Sequence, residues 1–248
     1  MDTTEFRGRT ALVTGGARGI GAAVALRLAA GGADVALTYE QGKDRAEEVA
    51  ARIRGLGRRA LALRADSGDA AEVEGAVERT AAEWGRLDVL VCNAGVYTTG
   101  AVTELGPDAF DRTVAVNVRG PYLAARAAVR HMRPGSRIVS IGSNVAERTP
   151  FPGLTLYALT KSALAGMTKG LARDLGPLGI TVNLLHPGPT DTDANPADGP
   201  FAETVRGLTA LGRYAEPAEI AEVVAHLASG GASYMTGAVV HADGGFTV

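Results

Sequence analysis

The 248-residue sequence holds a single cysteine, Cys92, so no intrachain disulfide can form. Cys92 ends the apolar run Val89-Leu90-Val91-Cys92 and reads as a buried structural thiol. Histidine is sparse as well. His131, His186, His226 and His241 are scattered without ligand spacing, and no metal site is expected. No apolar run approaches the length needed to cross a bilayer, so the membrane is excluded as a partner. The opening Met1-Asp2-Thr3-Thr4-Glu5-Phe6 lacks the basic head and apolar body of a signal peptide, and a cytoplasmic location is expected. Charge of either sign is nearly balanced: a net charge of -2 and a pI near 6.1 provide no basic field for nucleic acid.

What remains is a chain with 46% apolar residues, ample for a continuous core. Short aliphatic and β-branched runs at 10–14, 34–38, 59–64, 89–92, 137–141, 181–185 and 239–240 read as strands. Between them lie segments of helical period. One carries Ile20, Val24 and Leu28, a second Val49 and Ile53, a third Val73, Val77 and Trp84. A long one runs over 110–132, another starts at Tyr157 and ends near Leu175, and the last bears Ile220, Val223 and Leu227. Strands alternating with helices of this length imply right-handed crossovers. The expected fold is α/β: a doubly wound, Rossmann-type parallel sheet of about seven strands with helices on both faces, forming one domain over 1–248. Residues 189–212, rich in Pro, Gly, Asp and Thr, break the pattern and read as a substrate lid.

Polar and glycine clusters follow the strands. Gly15-Gly16-Ala17-Arg18-Gly19-Ile20-Gly21 follows the first, Asn93-Ala94-Gly95 the fourth, Gly142-Ser143 the fifth and His186-Pro187-Gly188 the sixth. All lie beyond carboxyl ends, the edge at which open parallel sheets bind ligands. Glycines at 15, 19 and 21 permit a tight turn, close approach of backbone to a pyrophosphate and exposure of a helix N-terminus. Tyr157 and Lys161 stand four apart, one turn along a helix face. Lowering a phenol from about 10 to near neutrality requires roughly 4 kcal/mol of preference for the phenolate. One ammonium at about 4 Å and an effective dielectric near 20 supplies roughly that amount. Alone, such a pair reads more readily as an edge-of-core ring beside a solvated charge.

Together these residues resemble the single-domain short-chain dehydrogenase/reductase family. Thr14-Gly15-x-x-x-Gly19-x-Gly21, Asn93-Ala94-Gly95, Asn117, Ser143, Tyr157-x-x-x-Lys161 and Pro187-Gly188-x-x-x-Thr192 match its motifs in order, and the likeness runs through Asp243-Gly244-Gly245. It is strongest to 3-oxoacyl carrier-protein reductases and related ketoreductases. The resemblance implies Tyr157 as general acid/base, Lys161 lowering its pKa and holding the nicotinamide ribose, Ser143 donating to the oxyanion, and Asn117 positioning a water that links Lys161 to solvent. It implies cofactor contacts from Gly15, Arg18, Gly19, Ile20, Gly21, Tyr39, Asn93, Ala94, Gly95, Pro187, Gly188, Thr190 and Thr192, with Asp66 and Ser67 at the adenine.

The resemblance favours NADP(H). Tyr39 stands where NAD-specific relatives carry an Asp, and the Arg18 guanidinium suits a 2′-phosphate. Glu40 would repel that phosphate unless it turns outward or is offset by Lys43 or Arg45, so NAD(H) stays open. The substrate class implied is a small carbonyl or secondary alcohol in an apolar pocket, with Val96, Phe151, Leu154, Phe201 and Leu208 as lining candidates. Arg130, Arg133, Arg206 and Arg213 are dispersed rather than clustered, which argues against an acidic carrier protein as partner. The resemblance also implies a homotetramer. The alternatives are an NAD-dependent alcohol or sugar dehydrogenase and a catalytically silent dinucleotide-binding sensor or scaffold.

Overall fold

In a computed structural model, which describes residues 4–248, seven strands form one parallel sheet in the order β3-β2-β1-β4-β5-β6-β7. They are β1 (Thr10–Val13), β2 (Asp34–Tyr39), β3 (Ala60–Arg64), β4 (Val89–Cys92), β5 (Arg137–Ile141), β6 (Thr181–Pro187) and β7 (Val239–Ala242). The helices are α1 (Gly19–Ala30), α2 (Lys43–Gly55), α3 (Ala70–Trp84), α4 (Pro107–Val114), α5 (Gly120–Ala128), α6 (Thr155–Leu175), α7 (Ala202–Arg206) and α8 (Pro217–Ala228). Strand order reverses between β1 and β4, and at such a switch point the two loops diverge and leave a crevice.

Alternation along the central strands divides the core in two. Ala11, Val13, Val89 and Val91 pack toward α1, α2 and α8; Leu12, Leu90 and Cys92 pack on the opposite face toward α3, α5 and α6. Both faces of β1, β4 and β5 are therefore buried, which is why these strands are mostly apolar, with Thr10, Arg137 and Ser140 as buried polar exceptions. Cys92 is buried as expected, and burial pushes its thiol up to about 12, out of reach of thiolate chemistry at neutral pH. Among the described residues no helix is long and apolar enough to cross a membrane.

Three differences from the sequence reading bear on the site. The helix expected over 110–132 is interrupted: α4 and α5 are joined by a π-helical stretch, Ala115–Arg119, with Asn117 at its centre. Helical periodicity does not register one extra residue in a turn, so the pattern looks continuous. β6 and β7 run further than their aliphatic runs, to Pro187 and Ala242, and pair His186 with His241 in register. The segment 189–212 is less irregular than its composition: it holds the five-residue α7, and Thr190 bridges to Ala215.

Candidate active site

The site is built from the turn between β1 and α1. Thr14 Oγ1 accepts the Asn93 and Ala94 backbone N–H groups at 3.0 and 3.1 Å, while Asn93 Nδ2 donates to the Thr14 and Gly15 carbonyls, both at 3.0 Å. One asparagine thus ties the two loops that diverge at the switch point. Gly15 and Gly19 have φ of +64° and +53°, which a side chain rarely adopts. A Cβ on Gly21 would stand 2.2 Å from the Gly15 carbonyl oxygen. The N-cap of α1, Arg18, makes no side-chain cap hydrogen bond. The first N–H groups of α1 therefore face the cleft without a protein acceptor from that side chain, at the positive end of the helix dipole.

The cleft above this turn encloses about 810 Å³. Its walls include Gly15, Arg18, Gly19, Ile20, Gly21, Tyr39, Ser67, Asn93, Ala94, Gly95, Ser143, Tyr157, Lys161, Pro187, Gly188, Thr190 and Thr192. Four loop clusters and one helix face therefore meet in a single cavity. Asp66 does not reach it. Both of its carboxylate oxygens accept from Arg112 Nη1 at 2.9 and 2.8 Å, and the Gly68 N–H donates to one of them at 2.8 Å. The Arg112 hydrogen bonds hold this carboxyl below the usual range. Ala65 and Ser67 face the cleft in its place. Arg112 Nη2 also pairs with Glu40 at 3.2 Å. No periodicity or motif marks Arg112, so nothing in the sequence singles it out.

Asn117 lies behind the wall, 1% exposed. Its side chain accepts from the Val96 N–H at 2.8 Å and donates to the Val96 carbonyl at 3.0 Å and to Thr160 Oγ1 at 3.1 Å. It links the loop after β4 to α6 at the residue that precedes Lys161. A Cβ on Gly95 would lie 3.3 Å from Asn117 Oδ1 and 3.4 Å from Lys161 Nζ, so this glycine keeps the two polar groups close.

Lys161 Nζ donates to the Ile141 carbonyl at 3.0 Å and stands 5.6 Å from the Tyr157 ring centroid. Tyr157 keeps partial exposure toward the cleft, although the protein mass around its hydroxyl is that of the interior. Burial pushes the phenol up to about 12, with a hydrogen bond to Ser143 acting in the opposite direction. Burial also draws Lys161 down to about 8. Burial thus acts against the lowering of Tyr157 expected from Lys161. Desolvation disfavours both charges, and the ammonium is directed at a carbonyl as well as at the ring. Tyr97, which carries no sequence signal, packs edge-on against Tyr157 with centroids 4.8 Å apart. Val96, Phe151 and Leu154 line the cavity as expected; Phe201 and Leu208 do not, and Val205 of α7 does.

This arrangement can seat an extended anion-bearing ligand along the glycine turn while presenting a phenol, a hydroxyl and an ammonium at its far end. A family model described as enoyl-(acyl carrier protein) reductase matches residues 15–247. A cyclic-di-GMP-binding biofilm dispersal mediator protein of Escherichia coli is 45% identical over 241 residues, covering 97% of this chain and 98% of that one. Among solved structures, a short-chain dehydrogenase/reductase from Serratia marcescens is 52% identical with a TM-score of 0.97, covering 98% of this chain and 100% of the other. One from Burkholderia cenocepacia, in complex with NADP, is 50% identical with the same TM-score and the same coverage. With the ordered motifs, the strand order and these matches agreeing over nearly its full length, the chain belongs to the short-chain dehydrogenase/reductase family of oxidoreductases.

Proposed function

We propose that the protein is an NADP(H)-dependent reductase that interconverts a ketone and a secondary alcohol. The observation that carries this reading is the convergence of Ser143, Tyr157 and Lys161 on the same cavity as the glycine turn. A dinucleotide fits the residues present. Gly15 and Gly21 let the turn pack closely on Ala94, Asn93 and its own backbone, where a Cβ would collide, and the α1 N-terminus offers N–H donors to a pyrophosphate. The Burkholderia relative binds NADP in the same fold.

The 2′-phosphate reading rests on Arg18 and Arg45, both in the cleft wall. Glu40, the residue most opposed to that phosphate, is paired with Arg112, which offsets its charge. Arg45 pairs with Asp193 at 2.6 Å, joining α2 to the segment after β6. The kcat/KM ratio for NADPH over NADH should therefore exceed about tenfold, and Arg18→Ala should lower it by about tenfold, or 1.4 kcal/mol. A wild-type preference for NADH would overturn the assignment.

In this reading the bound dinucleotide supplies hydride to the carbonyl carbon. The Ser143 hydroxyl donates to the carbonyl oxygen and holds it beside Tyr157. Tyr157, protonated at neutral pH as any phenol is and kept so by its burial, gives its proton to that oxygen as negative charge develops there. Lys161 holds the ribose and, while charged, stabilises the phenolate left behind. Asn117, bonded to Thr160 and to the Val96 backbone, keeps α6 and the β4 loop in register so that Lys161 stays in place.

A pH dependence follows. The folded-state pKa of Lys161 is depressed, so its charge is present below about pH 8 and lost above it. kcat/KM for NADPH, which reports groups of the free enzyme, should be flat below that value and fall by about tenfold per pH unit above it. A profile flat to about pH 10, the ordinary lysine range, would show that burial does not control this group.

A second reading draws on the Escherichia coli relative, whose name assigns it cyclic-di-GMP binding. The same cradle would then hold a cyclic dinucleotide without chemistry. Cyclic-di-GMP displacing NADPH, together with no turnover on a panel of aromatic, aliphatic and 3-oxoacyl ketones, would favour it. Turnover on any member favours the reductase.

A further inference from the structure

Three metal-binding side chains converge at the carboxyl ends of β6 and β7, although in sequence the histidines are scattered. His186 and His241 are register partners on these parallel strands, and their rings stand edge-to-face with centroids 5.2 Å apart. Glu147 enters from the loop after β5, one residue beyond the short turn Asn144–Ala146. One donor atom from each lies within 4.8 Å of the others.

His186 is the fixed point of the three. It is 0% exposed, and neither ring nitrogen has a hydrogen-bond partner. A buried imidazole whose donor and acceptor are both unmet is uncommon in a folded chain and points to a missing ligand. Gly142 makes the space for this ring, since a Cβ there would stand 2.3 Å from His186 Cδ2.

We propose that Glu147, His186 and His241 form a site for a divalent transition-metal cation, with Zn²⁺ the best match to two imidazoles and one carboxylate. Hard cations such as Mg²⁺ select oxygen ligands and are disfavoured by this set. With metal–ligand bonds of about 2.1 Å, donors of a tetrahedral site stand roughly 3.4 Å apart. Glu147 and His241 are exposed and can close that distance by side-chain rotation around the fixed His186. Three protein ligands leave one position for water. Glu147 shares its loop with Ser143, and the next residue, Arg148, already donates to the Phe246 carbonyl at 2.6 Å. Metal would add a second tie between that loop and the end of the sheet.

The site does not depend on the cofactor reading, and binding measures it without turnover. Metal-free protein would be titrated calorimetrically with ZnCl₂, and with MgCl₂ as the hard-cation control. Wild type should take up one Zn²⁺ per chain and ignore Mg²⁺. Glu147→Ala and His241→Ala, both at exposed positions, should each weaken Zn²⁺ binding by about tenfold or more. His131→Ala removes the other histidine that stands beside a carboxylate, Glu78 at 2.8 Å, and should leave the titration unchanged. Absence of a saturable one-to-one event in wild type, or undiminished binding in either Glu147→Ala or His241→Ala, overturns the proposal.

Discussion

Tyr157→Phe should lower kcat for ketone reduction by about 10³-fold while leaving NADPH affinity and the melting temperature close to wild type. General acid catalysis by a positioned group contributes about 10²–10⁴-fold. The expected value is the middle of that range. Tyr97 packs against the Tyr157 ring edge-on rather than replacing its hydroxyl, and the Ser143 hydroxyl is committed to the carbonyl oxygen in the proposed mechanism. The ring itself, with its contacts to Tyr97 and Lys161, survives the substitution, so packing is preserved. Only the hydroxyl is lost, and its one assigned partner, Ser143, has Asn144 Oδ1 as an alternative acceptor at 3.3 Å. Single-turnover reduction followed at the NADPH absorbance, alongside a direct NADPH titration, separates the two effects. A variant retaining more than about a tenth of wild-type kcat would remove Tyr157 from the role of proton donor.

How much of this is legible in the sequence differs by residue type. The sheet is, because β1, β4 and β5 are buried on both faces and carry short stretches of adjacent apolar residues, Ala11 to Val13, Val89 to Cys92 and Ile138-Val139. The convergence of the glycine turn with Asn93, Ser143 and Pro187 follows from topology alone, since all lie beyond strand carboxyl ends. What does not show are contacts made by long charged side chains between elements distant in sequence. Arg112 on α4 captures both Asp66 and Glu40, two carboxylates that the sequence reading treats as unpaired. No spacing rule encodes a pair separated by 46 or 72 positions. The π-helical stretch at Asn117 is hidden for a related reason: it changes the phase of a helix without breaking its hydrophobic face. The sign of the Tyr157 shift escapes a Coulomb argument from spacing, which omits burial, and here desolvation is the largest influence on both partners. His186 and His241 look isolated in sequence because register across two strands is invisible until the strands' true ends are known.

The second large effect belongs to Gly21→Ala, which should weaken NADPH binding by about 100-fold and lower stability as well. The added Cβ would fall 2.2 Å from the Gly15 carbonyl oxygen, 2.5 Å from Asn93 Nδ2 and 3.0 Å from the Gly15 carbonyl carbon. Two of those atoms are backbone and cannot rotate away. The turn must therefore shift relative to α1, and the Asn93 amide loses its hold on the Thr14 and Gly15 carbonyls. Overpacking of this kind costs about 1–3 kcal/mol, and a loss of about 2.8 kcal/mol in binding is 100-fold in affinity. Glycine content as such is not the cause. Gly75, inside α3, has open space where a Cβ would stand, with nothing within 4 Å, so Gly75→Ala should raise stability by about 0.5–1 kcal/mol through helix propensity and leave NADPH binding untouched. Thermal melts and NADPH fluorescence titrations of the two variants in parallel distinguish a steric cradle from a general intolerance of substitution. If Gly21→Ala bound NADPH within about threefold of wild type, the cradle would have to sit elsewhere in the cleft, because no side chain fits at this position without moving the backbone proposed to hold the pyrophosphate.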